Sequence, residues 1–158
     1  MTKRSRSIDR IEINKGKRRL TAYIGGSVSV YTVVLGFSPV GDKQLEGDGC
    51  TPEGQFYVCV KNPQSKFHLS LGISYPAPAN AERALASGAI KNDEFDAILQ
   101  AYVDGGMPPQ KTALGGEIYI HGGGTEGDWT EGCIAMDNSE MEELFSLVEV
   151  GMPVLITK

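Results

Sequence analysis

The nine residues between Gly25-Gly26 and Gly36, SVSVYTVVL, constrain the fold most. They alternate at first and then become fully apolar at Val33-Val34-Leu35, which reads as a strand entering a core. Gly25-Gly26 is a strong hairpin signal, so this strand needs an antiparallel neighbour upstream. Residues 20–24 supply it. Residues 8–14, apolar at Ile8, Ile11 and Ile13, form another strand, joined to it by the short turn Lys15-Gly16-Lys17. The chain therefore opens as a three-strand meander, and the basic side chains of its first two strands are expected to face water.

Twenty glycines and eight prolines punctuate the chain, which favours strands and loops over a helical bundle. Residues 36–54 form a long loop that ends in Gly47-Asp48-Gly49-Cys50-Thr51-Pro52-Glu53-Gly54, turn chemistry at nearly every position. Loops of this length are usually functional or disordered. Strands follow at 56–61 and 66–74, joined by a turn at Asn62-Pro63-Gln64-Ser65. A helix over 81–87 is stopped by Gly88. A second spans 93–103, with Asn92 as its cap and Phe95, Ile98, Leu99 and Tyr102 at helical spacing. After a loop over 104–116 comes a short strand, 117–121. Asp137 and Glu140 suit a capping box for a late helix with Met141, Leu144, Phe145 and Val148 on one face. Gly151 stops that helix, and 153–157 is a closing strand. The sum is one mainly β domain with a small helical insertion and one late helix, its long loops converging on one end of the sheet.

Charge excludes some functions. Residues 1–20 hold eight of the fifteen Lys and Arg, and the rest of the chain is strongly acidic, which argues against a nucleic-acid groove. The basic end reads as a solvated strand and tail. No run approaches the roughly 18 apolar residues of a membrane span. The N-terminus lacks the apolar core of a signal peptide, which leaves a cytoplasmic protein or one whose export segment is absent. Two histidines and three scattered cysteines have no metal-ligand spacing, so neither a structural zinc nor another cofactor is expected. Cys50 and Cys59 are near enough in sequence to pair, and pairing is left open; Cys59 reads as core.

The chemistry concentrates between Ile120 and Asn138. His121 ends an apolar run, and Cys133 follows Gly132. A thiol of pKa about 8.5 is mostly unreactive at neutral pH, and an imidazole is the base best matched to it. Glycines beside a nucleophile let main-chain N–H groups face a developing oxyanion. The residues thus suggest a cysteine nucleophile, Cys133, with a histidine base, His121. His68, mid-strand, reads as structural and Asp137 as a helix cap. Tyr75 suits either the wall of a substrate groove or the core, and Trp129 either a cleft wall or a packing anchor.

Thr130-Glu131-Gly132-Cys133-Ile134-Ala135-Met136-Asp137-Asn138, with His121-Gly122 upstream, resembles the signature of the L,D-transpeptidase (YkuD-type) family. Val33-Val34-Leu35-Gly36, Thr51-Pro52-Glu53-Gly54 and Gly151-Met152-Pro153-Val154-Leu155-Ile156 resemble other parts of it, in order along most of the chain. The resemblance implies a β-sandwich-like catalytic domain of the bacterial cell envelope, acting on peptidoglycan stem peptides in wall biogenesis and cell shape. It implies thioester formation at Cys133, with His121 as base and later acid, and capture by an amine to make a cross-link. Gly122 would orient the imidazole through its carbonyl, and N–H groups around Glu131, Gly132 and Cys133 would form the oxyanion hole. Thr130, in the motif, joins Tyr75 and Trp129 as a candidate substrate contact. A monomer is expected.

Three positions depart from the family pattern. Glu131 stands where many members have a second histidine, Ala135 where most have arginine, and the loop from Gly122 to Trp129 is short. Gly132 to Asp137 and Phe67 to Pro76 resemble a subgroup related to YafK, associated with hydrolytic release of an envelope lipoprotein. Hydrolysis of the stem-linked bond is therefore the alternative activity, and a catalytically weakened wall-binding module the alternative class.

Overall fold

A computed structural model describes residues 8–158. The basic tail residues 1–7 lie outside it. Eight strands form one sheet in the order β3-β2-β1-β8-β4-β5-β6-β7. Strands β1 (Arg10–Asn14), β2 (Arg19–Ile24) and β3 (Ser27–Thr32) make the antiparallel meander. The last strand, β8 (Pro153–Thr157), inserts between β1 and β4 (Gly54–Ser65), parallel to the first and antiparallel to the second. Beyond β4 come β5 (His68–Ile73), β6 (Tyr119–His121) and the two-residue β7 (Ile134–Ala135).

Alternation within each strand sets the inner face. Leu20 and Ala22 lie beside Ile13 and Ile11, and these beside Ile156 and Val154. Phe56, Val58, Leu71, Ile73, Ile120 and Ile134 continue the same buried cluster. Each buried aliphatic side chain contributes roughly 1.5–3 kcal/mol, so this face dominates the stability of the sheet.

The sheet is curled rather than split into two. The strand expected over 27–35 is regular only to Thr32. Its apolar end crosses to the far edge, where Val34 and Ala135 exchange both main-chain hydrogen bonds, at 3.0 and 2.9 Å. Gly36 bridges Thr130 one step further on. The two ends of the sheet thus meet along a seam, and Cys133 lies beside it.

Some sequence expectations are corrected. The turn between β4 and β5 is not Asn62–Ser65 but Lys66-Phe67: register shifts after Asn62 accommodate Pro63, which has no N–H for a regular ladder. Helix α1 (Pro78–Ser87) begins earlier than residue 81, with Pro78 in its first turn and the Asn80 side chain accepting from the Ala77 N–H at 2.8 Å. Asn92 is the first residue of α2 (Asn92–Asp104) and not its cap; the Lys91 N–H before it donates to Glu94 at 3.0 Å. Asp137 occupies the N-cap position of α3 (Asn138–Leu147) but makes no side-chain cap, because its carboxylate faces the Thr125 hydroxyl at 3.4 Å. Lys15 is 2% exposed: its ammonium donates to the carbonyls of Gly41 and Thr51 and pairs with Glu53, tying the turn after β1 to the long loop. All three cysteines are free thiols, and Cys59 is half-buried. Among the described residues no helix is long and apolar enough to cross a membrane.

Candidate active site

Parallel pairing of β6 with β7 sets Ile120 beside Ile134 and His121 beside Ala135. Successive strand residues face opposite ways. With Ile120 and Ile134 inward, His121 faces the other way; Cys133 directly precedes β7, and its sulfur lies against the main chain of Glu117 and Tyr119, on the segment that runs into His121. The sequence builds this locally: two apolar residues keep each short strand in register, and a glycine-rich loop returns the chain between them.

His121 is 2% exposed. Its Nδ1 lies 2.5 Å from the Gly122 carbonyl oxygen. A carbonyl only accepts, so Nδ1 carries the proton and Nε2 the free lone pair. Burial pushes the imidazole pKa below its ordinary value. The Gly122 contact opposes this and the nearby Lys66 charge adds to it.

The Cys133 thiol donates to the Glu117 carbonyl at 3.3 Å and accepts from the Tyr119 N–H at 3.4 Å. Burial pushes its pKa up to about 11; the Tyr119 N–H lowers it, and the Glu117 and Glu131 carboxylates raise it. Thiol and imidazole are therefore both uncharged at neutral pH in this resting arrangement.

Thr130 braces the turn before the cysteine. Its hydroxyl donates to the Cys133 carbonyl at 2.7 Å and accepts from the Gly132 N–H at 3.1 Å. Two expectations change here. Thr130 is buried and faces the main chain, so it is not a substrate contact. The Gly132 N–H is spent on Thr130, which removes it from an oxyanion hole and leaves the N–H groups of Glu131 and Cys133 as candidates. Gly132 has φ +137°, and a Cβ there would lie 2.8 Å from the Cys50 carbonyl oxygen, so the turn requires glycine.

Tyr75 is also corrected. It is fully buried, with its hydroxyl donating to the Leu114 carbonyl at 2.7 Å, and it packs edge-on to Phe56 in the core. Trp129 is 39% exposed and is held by its Nε1 donating to the Gly124 carbonyl at 3.0 Å. It walls a concavity of about 690 Å³ with Gly123, Gly124, Thr125, Glu126 and Asp137. A second one, of about 350 Å³, is walled by Glu46, Glu117, Glu131 and Lys43 among others. Lys43 is already paired with Asp48 at 3.0 Å, so this pocket is net acidic.

The sequence reading missed several residues here. Asp128 accepts two hydrogen bonds from Arg18, at 3.1 and 2.7 Å, and one from the Leu35 N–H at 2.9 Å, anchoring the loop that carries Trp129. Burial raises the Asp128 pKa, but these partners outweigh it and hold the carboxyl below its usual range. Phe67 lies against His121, with ring centroids 4.5 Å apart. Contacts between residues 54 and 110 positions apart leave no local periodicity by which to find them. Adjacent Lys66-Phe67 in a turn would have been the only hint.

The sequence model of the YkuD family, described as an L,D-transpeptidase catalytic domain, matches residues 8–156. YqjB of Bacillus subtilis (strain 168), assigned provisionally as an L,D-transpeptidase, is 31% identical over 151 residues, covering 92% of this chain and 69% of the relative. Among solved structures, the helical cell shape determining protein Pgp2 from Campylobacter jejuni superposes with a TM-score of 0.60 at 22% identity, over 96% of this chain and 48% of that one. An L,D-transpeptidase from Xylanimonas cellulosilytica DSM 15894 gives 0.54 at 18% identity, over 99% and 63%. The chain thus spans about half the length of the Campylobacter protein. At these identities the structural likenesses speak for the fold.

Proposed function

The chain belongs to the YkuD family of L,D-transpeptidase catalytic domains, and from that premise we propose that it is a cysteine-dependent acyltransferase acting on peptidoglycan stem peptides in the cell envelope. The observation that carries this reading is that the segment leading into His121 also holds the Cys133 sulfur, through the Tyr119 N–H and the Glu117 carbonyl, while the Nδ1 of His121 is bonded to the Gly122 carbonyl.

In this reading the thiol proton passes to Nε2 of His121 as Sγ attacks the carbonyl carbon of the donor peptide bond. The N–H groups of Glu131 and Cys133 receive the oxyanion; one such donor is worth about 2.7–4 kcal/mol of barrier. The tetrahedral centre collapses, the C–N bond breaks, and the imidazolium returns its proton to the leaving amine. That leaves a thioester on Cys133. An amine then attacks it, giving up a proton to His121, and the thiol is regenerated. The acidic pocket of Glu46, Glu117 and Glu131 beside the sulfur suits an ammonium-bearing acceptor and favours transfer over hydrolysis.

The test is incubation with tetrapeptide muropeptides and mass spectrometry of the products. Cross-linked dimers are the expected result. Tripeptides or a freed lipoprotein would mean that water is the acceptor. Binding without turnover would mean a wall-binding module.

A further inference from the structure

Phe67 has no part in the steps above, yet it covers the proposed base. Its ring is stacked on the His121 imidazole at 4.5 Å between centroids, with the planes 20° apart. Trp129 meets the imidazole edge-on at 5.6 Å and Phe67 at 5.4 Å. Together the two rings bury a histidine that lies next to an open cleft.

The placement of Phe67 is held from two sides. A Cβ on Gly122 would lie 2.9 Å from the Phe67 carbonyl oxygen, so the turn can approach His121 only because residue 122 is glycine. The next residue, His68, adopts φ +79°, and its Nε2 pairs with Glu142 on α3 at 2.8 Å. Lys66 completes the surroundings, its ammonium 5.0 Å from the centre of the Phe67 ring.

The Gly122 carbonyl selects the tautomer of His121, but rotation about the bond to the imidazole is intrinsically soft. A flat partner on one face removes that freedom. We propose that Phe67 is a positioning residue for acyl transfer: by stacking on His121 it fixes the plane in which Nε2 takes and returns the thiol proton. The proposal rests on the reading of His121 as the base.

The test uses the full chain with Phe67→Ala and Phe67→Tyr. It measures the imidazole titration of His121 by NMR without substrate, and kcat and KM with a tetrapeptide donor. His68, the other histidine, is assigned separately so that the two titrations are told apart. In Phe67→Ala the His121 midpoint is expected to rise toward the ordinary value as water reaches the ring. Its kcat is expected to fall about ten- to a hundred-fold, as misplacement of a catalytic group does, with KM changed less than about two-fold. Phe67→Tyr is expected to restore both. If the alanine variant does not fold, Phe67→Leu keeps the volume and is expected to lose kcat in the same way. An unchanged kcat in a folded variant overturns the proposal. So does a loss confined to KM, which would make Phe67 a substrate contact, or a loss that tyrosine does not restore. Because the titration needs no substrate, it decides the stacking role even if stem peptides prove not to be the donors: an unmoved His121 midpoint overturns it.

Discussion

The Cys133 thiol donates to the Glu117 carbonyl, 3.3 Å away. Glu117 adopts φ +56°, a left-handed conformation uncommon outside glycine, and so turns its carbonyl toward the sulfur. The sulfur therefore rests against main chain, and in the proposed reaction it leaves that carbonyl as its proton passes to His121. The resting pair is neutral rather than a thiolate–imidazolium pair.

This arrangement fixes the expected pH dependence. As the proposed base His121 works only when deprotonated, and its folded pKa lies below the ordinary imidazole value of about 6.5. The rate of acylation should rise with pH through a midpoint below that value. Alkylation of Cys133 by iodoacetamide should keep rising into the alkaline range, because burial holds the thiol near 11. Measured pH–rate profiles for both reactions check this; an alkylation rate already at its plateau at pH 6 would show an ion pair instead.

Cys133→Ala should abolish turnover while leaving the melting temperature within a few degrees of the parent. A carbapenem, whose strained lactam imitates an acyl donor, should acylate the parent once, at Cys133. Intact-mass and peptide-mapping analysis distinguishes this from an adduct at Cys50.

Thr130→Val keeps the shape of the side chain but leaves the Cys133 carbonyl and the Gly132 N–H without their partner. Leaving a buried group unsatisfied costs about 1–3 kcal/mol. The variant should melt at lower temperature and react more slowly, whereas Thr130→Ser, which retains the hydroxyl, should be close to the parent. Paired melting curves and acylation rates report both effects.

Gly132→Ala places a Cβ at φ +137°, 2.8 Å from the Cys50 carbonyl oxygen. Strained backbone of this kind costs roughly 1–3 kcal/mol. The expected outcome is a destabilised protein whose thiol has shifted, seen as a lower urea midpoint together with slower acylation. A variant with parental stability and rate would contradict the close approach of the two loops.

The fold was legible wherever short-range pattern carries it. Period-two apolar residues marked the meander and the closing strand, and Gly88 marked the end of α1, whereas α3 ends at Leu147, short of the stop expected at Gly151. The pattern failed where a distant partner decides. Lys15 looked like a solvated turn residue because its three acceptors come from loops 26 or more positions away. Pro63 looked like a turn because the register shift that tolerates it belongs to the pair β4–β5 and not to either strand alone. Cys133 and His121 stood out as chemistry among glycines. The engagement of Gly132 with Thr130, the burial of Tyr75 and the stacking of Phe67 depend on packing that no spacing encodes.

The bridge from Val34 to Ala135 has a consequence for synthesis of the chain. It joins a segment made early to one made late, and the cysteine arrives only two residues before the bridge can close. Such a distant closure is among the slower kinds of contact to form. A chain released only to residue 100 holds Cys50 and Cys59 but neither His121 nor Cys133, so both members of the proposed dyad arrive with the last third of the chain. The seam and the proposed dyad are thus completed by the same late stretch of chain.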